Sequence, residues 1–349
     1  MYVDGVLRVV QVGLGGFGRS WAAIAHTAPG VRLVGTADPM IDARRWAKHE
    51  LGFSSGALFS SLDEALERSS CDAVVVITPP ETHYTLVTRA LLAGKHVLVE
   101  KPLATTLAEA QTLVAAAGAA GRILMVSQNY RFRPPARAAR QAIANGLLGD
   151  LIHVSIRCRR DTRRTWPADN FRYHMRHPYV LDMAIHHVDL LRALTSRNVR
   201  RIDARSWRIP DSPFCHEPAC AALLELDGGV PVLYEGTWAT RDQETSWNAD
   251  WEIVGESGRL LWTGGLDDAL IGDVAVERWE QPPIYLTLPS LAHPDRAGAL
   301  QAFRAATLTG AEPETSARDN IQSLAVVLGC VASIERQAPV DVASLFGGA

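Results

Sequence analysis

The run LDMAIHHVDLL, residues 181–191, sets two histidines between two aspartates in an otherwise apolar stretch. At a helical step of about 100° per residue, Asp182, His186 and Asp189 fall within about 60° of one another, while His187 points away. An imidazole exchanges protons near neutrality, and a carboxylate one turn away can orient it or support its charged form. Such a seam in an apolar helix admits three chemistries: acid–base work at a pocket, a metal site, or a satisfied buried network. No other His or Cys cluster with ligand spacing accompanies it, so no metal is expected.

A second chemical feature stands near the N-terminus. VVQVGLGGFGRSWAAIA supplies Gly13, Gly15 and Gly18 as GxGxxG after a strand pattern and opening a helix pattern, with Leu14, Gly16 and Phe17 in the same loop. Glycines allow a tight turn and a close backbone approach to a pyrophosphate, and N–H groups at the helix start bind the anion. Asp38 ends the next apolar run, VRLVGTAD, where an acid accepts hydrogen bonds from an adenosine ribose and repels a 2′-phosphate. That pattern predicts NAD, with NADP as the alternative if Arg44 and Arg45 receive a phosphate. Asp38 could also cap the helix that begins at Ile41.

The elements that must position these groups are legible in the hydrophobic pattern. LRVVQV, VRLVGTA, DAVVVIT, HVLVE and ILMVS are nearly continuous apolar runs, as buried parallel strands are, and helix-patterned segments alternate with them. The expected fold class is α/β: a doubly wound Rossmann domain over residues 1–127. Residues 128–349 are expected to form an α+β substrate and oligomerisation domain on a large, mostly antiparallel open sheet. LIHVSIRCR, AALLELDGG, VPVLYEGTWA and WNADWEIVGESGRLLW alternate in hydropathy, with DGG and GESGR as hairpin turns. Two helical stretches, roughly 291–310 and 315–337, close the chain.

The glycine loop, TPP (Thr78, Pro79, Pro80) followed by His83, VLVEKP with Glu100 and Lys101, and DMAIHHVD come in this order. The combination resembles the glucose–fructose oxidoreductase and inositol dehydrogenase family, Gfo/Idh/MocA, over essentially the whole chain. The resemblance implies an NAD(P)-dependent dehydrogenase or reductase acting on a CH–OH group of a sugar, inositol or related polyol. It implies catalytic roles for Lys101, Asp182 and His186, with His187 at a variable position. Glycine-loop residues, Asp38, Thr78, Pro79, Pro80, His83, Glu100, Lys101 and Asn129 are the expected cofactor contacts. Lys101, Tyr130, Arg131, Arg164, Trp166, Asp182 and His186 are the expected substrate contacts. A homodimer or homotetramer through the second sheet is implied as well. Two other readings share these motifs: a lyase or glycosidase that oxidises transiently and retains its NAD, and a non-catalytic dinucleotide-binding regulator.

The chain departs from the family at RHPYVLDMAIH, where Ala184 replaces a glycine and no glycine pair precedes the aspartate. Just upstream, RCRRDTRRTWPADNFRYHMRH is rich in arginine and carries Trp166, Phe171 and Tyr173. Some of Arg159, Arg160, Arg163, Arg164 and Arg172 could meet an anionic or heavily hydroxylated substrate, or could simply be solvated.

Composition sets the outer limits. A net charge of −3 over 349 residues provides no field for nucleic acid or an anionic membrane surface, and neither partner is expected. The longest apolar stretch, TLVAAAGAAGRILMV, is broken by GAAGR and is too short to span a bilayer. Five cysteines without CxxC pairing are expected as reduced thiols, and the N-terminus lacks a leader pattern, which points to a cytoplasmic enzyme.

Overall fold

The computed structural model describes residues 5–347, which divide into two compact units. In the first unit, the apolar runs become β1 (Leu7–Val12), β2 (Val31–Ala37), β4 (Ala73–Val76), β5 (His96–Glu100) and β6 (Leu124–Ser127), joined by the two-residue β3 (Leu58–Phe59). They pair in parallel in the order β3-β2-β1-β4-β5-β6. Helices α1 (Gly16–Thr27), α2 (Ile41–Glu50), α3 (Leu62–Arg68), α4 (His83–Leu92) and α5 (Leu107–Ala120) alternate with the strands. Local chemistry sets their ends: Ser61 caps α3, Thr106 and Glu109 form a capping box on α5, and Gly121 closes α5 in the left-handed region. The strand order reverses between β1 and β4, so a crevice opens at their carboxyl ends, where the glycine loop and Thr78 lie.

The expected boundary at residue 127 needs correction. The first unit runs to Asn129 and takes back residues 293–321, including α8 (Asp295–Thr309) and the start of α9 (Ala317–Arg336). Arg304 explains part of this return, because its guanidinium donates to the carbonyls of Gly5 and Gly30 at 2.6 and 2.9 Å. A further tie is the mutual bonding of Thr315 and Val126, whose N–H and carbonyl both engage residue 315.

The second unit is built on a nine-stranded sheet, β14-β13-β12-β11-β7-β10-β9-β8-β15. Its strands are β7 (Leu151–Arg159), β8 (Val199–Trp207), β9 (Ala219–Leu226), β10 (Pro231–Thr237), β11 (Asp250–Gly255), β12 (Gly258–Thr263), β13 (Asp273–Arg278), β14 (Ile284–Tyr285) and β15 (Val340–Asp341). Among the described residues of this sheet, only β7 and β10 pair in parallel. Helix α6 (Pro134–Ala144) packs on β12 and β13 and against α7 (Ile185–Thr195), every residue of which is buried. The other face of the sheet is open, with Ile152, Leu223 and Leu233 each at least half exposed.

Candidate functional site

In the first unit, the glycine loop has the geometry of a phosphate cradle. Gly13 sits at φ +94°, and a Cβ there would overlap the Ile77 carbonyl oxygen; one on Gly18 would overlap the Gly13 carbonyl oxygen. These two glycines let the loop press against β4 and let α1 start directly beneath it. At Gly15 and Gly16 a Cβ would meet no heavy atom within 4 Å, so the rim where an anion would sit is open. Phe17 is exposed on that rim with the Arg296 guanidinium 4.9 Å from its ring centre, whereas Leu14 is fully buried.

Asp38 accepts from the backbone N–H of Leu14 and from that of Met40, both at 2.8 Å. It therefore ties the glycine loop to the turn before α2 and does not occupy the N-cap position, which belongs to Met40. Arg44 curls back onto the carbonyls of Asp38 and Pro39, and Arg45 pairs with Asp42. The loop, the open glycines and the acid fit a dinucleotide with a free 2′-hydroxyl.

The remaining expected cofactor contacts divide. Thr78, Pro79 and Pro80 stand at the exposed or half-exposed end of β4. His83 is fully buried, its ring nitrogens 2.7 Å from the Pro102 carbonyl and 2.9 Å from that of Thr78, so it is a strut between the two loops. Burial holds its pKa below the ordinary value, outweighing the two carbonyls. Glu100 is likewise buried: it accepts from the Trp21 indole N–H and the Lys101 backbone N–H, both at 3.0 Å. Burial raises its pKa, opposed by the Lys101 charge. Asn129 donates to Asp295 at 2.7 Å. His83 and Glu100 thus hold the loop around Lys101, itself half-buried, while Asn129 is engaged by Asp295.

In the second unit, Asp182, His186 and Asp189, the expected stripe, each have partners from other segments of the chain. Residues Val180–Ala184 wind as a π-helical turn, and α-helical geometry begins only at Ile185. The wider turn carries Asp182, and His186 follows in the first turn of α7. Asp182 pairs with the Arg172 guanidinium. Asp189 is buried and holds Arg131 through two bonds of 2.6 and 2.7 Å, with the Ser323 hydroxyl donating at 2.9 Å. Arg131, an expected substrate contact, is instead part of the core through Asp189, since a buried carboxylate requires a partner.

His186 lies face to face with Tyr130, ring centres 4.3 Å apart and planes within 9°. Arg133 covers the same tyrosine ring, 3.3 Å from its centre. His187 is fully buried and 3.0 Å from the Trp247 carbonyl, which can only accept, so Nε2 carries the proton and Nδ1 faces the Tyr234 hydroxyl at 2.9 Å. Burial, reinforced by Arg133, pushes its pKa down to about 4. The histidine pair thus divides into a neutral core member, His187, and a stacked member, His186, with less than a tenth of its surface exposed.

The arginine-rich segment is mostly self-neutralised. Arg159 pairs with Asp242 at 3.0 Å, Arg160 with Glu244 at 3.2 Å, and Arg163 and Arg164 share Asp161 at 2.6 and 3.2 Å. Arg164, an expected substrate contact, is 80% exposed at its side chain and belongs to this surface pair. Trp166 packs edge-on against Trp238 at 4.8 Å. Ser323, Tyr234 and Trp247, the partners that sort the two histidines and Asp189, carry no motif that could have marked them.

Among the described residues, no group of three His, Cys, Asp or Glu side chains could hold a metal, and no helix is long and apolar enough to cross a membrane. The five cysteines are free, and all except Cys215 are buried.

The same motifs and fold recur in known proteins. The family model of Gfo/Idh/MocA oxidoreductases with an NAD-binding Rossmann fold matches residues 7–128, and the C-terminal domain model of the same family matches residues 136–261. A D-apiose dehydrogenase of Paraburkholderia graminis is 29% identical over 96% of this chain and 89% of its own length. A 1,5-anhydro-D-fructose reductase of Ensifer adhaerens is 27% identical over 92% of this chain and 94% of its own. A crystal structure of an oxidoreductase from Agrobacterium radiobacter, in complex with NAD+, L-tartaric acid and magnesium, shares the fold with TM-score 0.87 at 19% identity, covering 97% of this chain and 99% of that one.

Proposed function

Because the chain belongs to the Gfo/Idh/MocA family and is an NAD(P)-dependent oxidoreductase, we propose that its substrate is a sugar, inositol or related polyol, handled at a CH–OH carbon by Lys101, Asp182 and His186. Relatives named for D-apiose and 1,5-anhydro-D-fructose support that class. When bound, the nicotinamide supplies hydride transfer. His186 takes the hydroxyl proton in the oxidative direction and returns it in the reductive one. Lys101 donates a hydrogen bond to the same oxygen and stabilises developing alkoxide charge. Asp182 orients a substrate hydroxyl or supports the imidazolium form of His186.

NAD is preferred to NADP in this reading. Asp38 presents negative charge at the ribose position, and Arg44 and Arg45 are engaged by their own neighbours. The open face around Leu223 and Leu233 serves a homodimer or homotetramer, since an exposed apolar sheet face is costly in a monomer.

The observation that carries the reading is the division between the two histidines. His187 is locked neutral in the core, while His186 is oriented by Tyr130 beside the Asp182 carboxylate's turn. The test is a panel of aldoses, inositols and sugar acids followed by NAD(P)H absorbance, with Lys101→Ala and His186→Ala beside the wild type. Each variant should lose about 10²-fold or more in kcat while NAD binding survives. Full activity in both would overturn the mechanism, and turnover without free NADH would favour the NAD-retaining lyase or glycosidase.

A further inference from the structure

Of the five arginines of the segment between residues 159 and 172 that stand near the catalytic helix in sequence, four are matched to carboxylates outside that helix. Arg172 differs. Its Nε donates to Asp182 Oδ2, and its guanidinium carbon lies 4.5 Å from the Phe171 ring centre and 5.2 Å from that of Trp166. Among the described residues its terminal amino groups make no protein hydrogen bond. The pair is accessible, with side-chain exposures of 28% for Arg172 and 16% for Asp182, and Phe171 beside it is 61% exposed. Trp166, wedged against Trp238, Phe214 and Tyr173, holds the inner wall of this clamp still.

We propose that Arg172 and Asp182 form a diol-binding subsite that makes the enzyme selective for neutral polyols over sugar acids. The proposal rests on the polyol reading above and narrows it. One substrate hydroxyl donates to the Asp182 carboxylate, and its neighbour accepts from the terminal N–H groups of Arg172. The spacing of a guanidinium on a carboxylate presents a donor and an acceptor side by side, as a vicinal diol requires. Phe171 offers an apolar face for the C–H side of the carbon skeleton. Charge at this pair disfavours acids: Arg172 is already paired with Asp182, so a carboxylate seated on its guanidinium also meets the like charge of Asp182. The other four arginines of the segment bring their own counter-charges.

Binding and turnover are measured separately. NAD-loaded wild type, Arg172→Lys and Arg172→Met are titrated with myo-inositol, glucose and galactose, and with glucuronate and galacturonate, using the fluorescence of Trp166 and its neighbours together with calorimetry. The wild type should bind at least one neutral probe at least tenfold more tightly than either acid. Arg172→Met should weaken that binding about tenfold or more, raising KM with kcat changed less than about threefold, and Arg172→Lys should recover part of it because an ammonium keeps the charge but not the fork. NAD affinity and the melting temperature should hold in both variants. Tighter binding of acids than of neutral probes, absence of neutral binding, or unchanged KM in Arg172→Met would overturn the subsite. Neutral binding without any NADH formation would leave the subsite standing and overturn the dehydrogenase reading instead.

Discussion

Acidification should weaken the second unit through His187, by an amount the buried ring sets. In the unfolded chain this imidazole takes a proton near pH 6.5, whereas burial holds it neutral until about pH 4 in the fold. Between those values unfolding takes up one extra proton, so stability falls as the pH drops through the window and is fully present above it. A gap of about 2.5 pH units corresponds to about 3 kcal/mol. His187→Gln removes the titration while retaining an N–H for the Trp247 carbonyl and an oxygen for the Tyr234 hydroxyl. Urea unfolding of both proteins, followed by tryptophan fluorescence from about pH 7.5 down to about 4.5, reads the difference. His83 and His96, whose pKa values burial also lowers, contribute slopes of the same sign to both proteins and cancel in the comparison. The wild type should lose about 2 to 3 kcal/mol more than the variant across that range. Parallel loss in the two proteins, or a His187 ring that titrates near 6.5 by NMR, would refute the assignment of this histidine to the neutral core.

Three further outcomes follow from other parts of the fold. Asp38→Ala should raise the NAD KM about tenfold or more and narrow the preference over NADP, because a charge-assisted hydrogen bond to ribose is worth about 1.5 to 3 kcal/mol; steady-state kinetics with both dinucleotides reads this. Arg131→Met should destabilise the second unit by about 3 to 5 kcal/mol in denaturant titration, since it leaves Asp189, 2% exposed at its side chain, charged and without its main partner. Glu substituted at both Leu223 and Leu233 should lower the assembly state in analytical ultracentrifugation while leaving the monomer folded.

Much of the scaffold can be derived from local pattern. Buried parallel strands are continuous apolar runs, so β1, β2, β4, β5 and β6 stand out, as do the glycine loop between β1 and α1 and the acid after β2. Glycine at residues 13 and 18 is likewise a local requirement, because backbone atoms crowd the space a side chain would need. Strand β8, VRRIDARSW, carries arginines on its solvent side and is hard to distinguish from a loop, and β3, β14 and β15 are two-residue edges with no period to detect.

The side-chain partners are a different matter. That His187 is neutral and structural follows from Tyr234 and Trp247, which lie 47 and 60 residues further along the chain. Arg131 reaches Asp189 across 58 positions, and Ser323 reaches it across 134. The π-helical turn at Val180–Ala184 carries Asp182, and Arg172, ten positions earlier, pairs with it. The amino-acid order by itself determined the alternating strands and helices, the phosphate loop and the inventory of titratable groups, because those depend on neighbours within a turn or two. Only the tertiary structure decided which histidine is neutral and which arginine is left to face Asp182, because burial and ion pairing depend on residues brought together from distant parts of the chain.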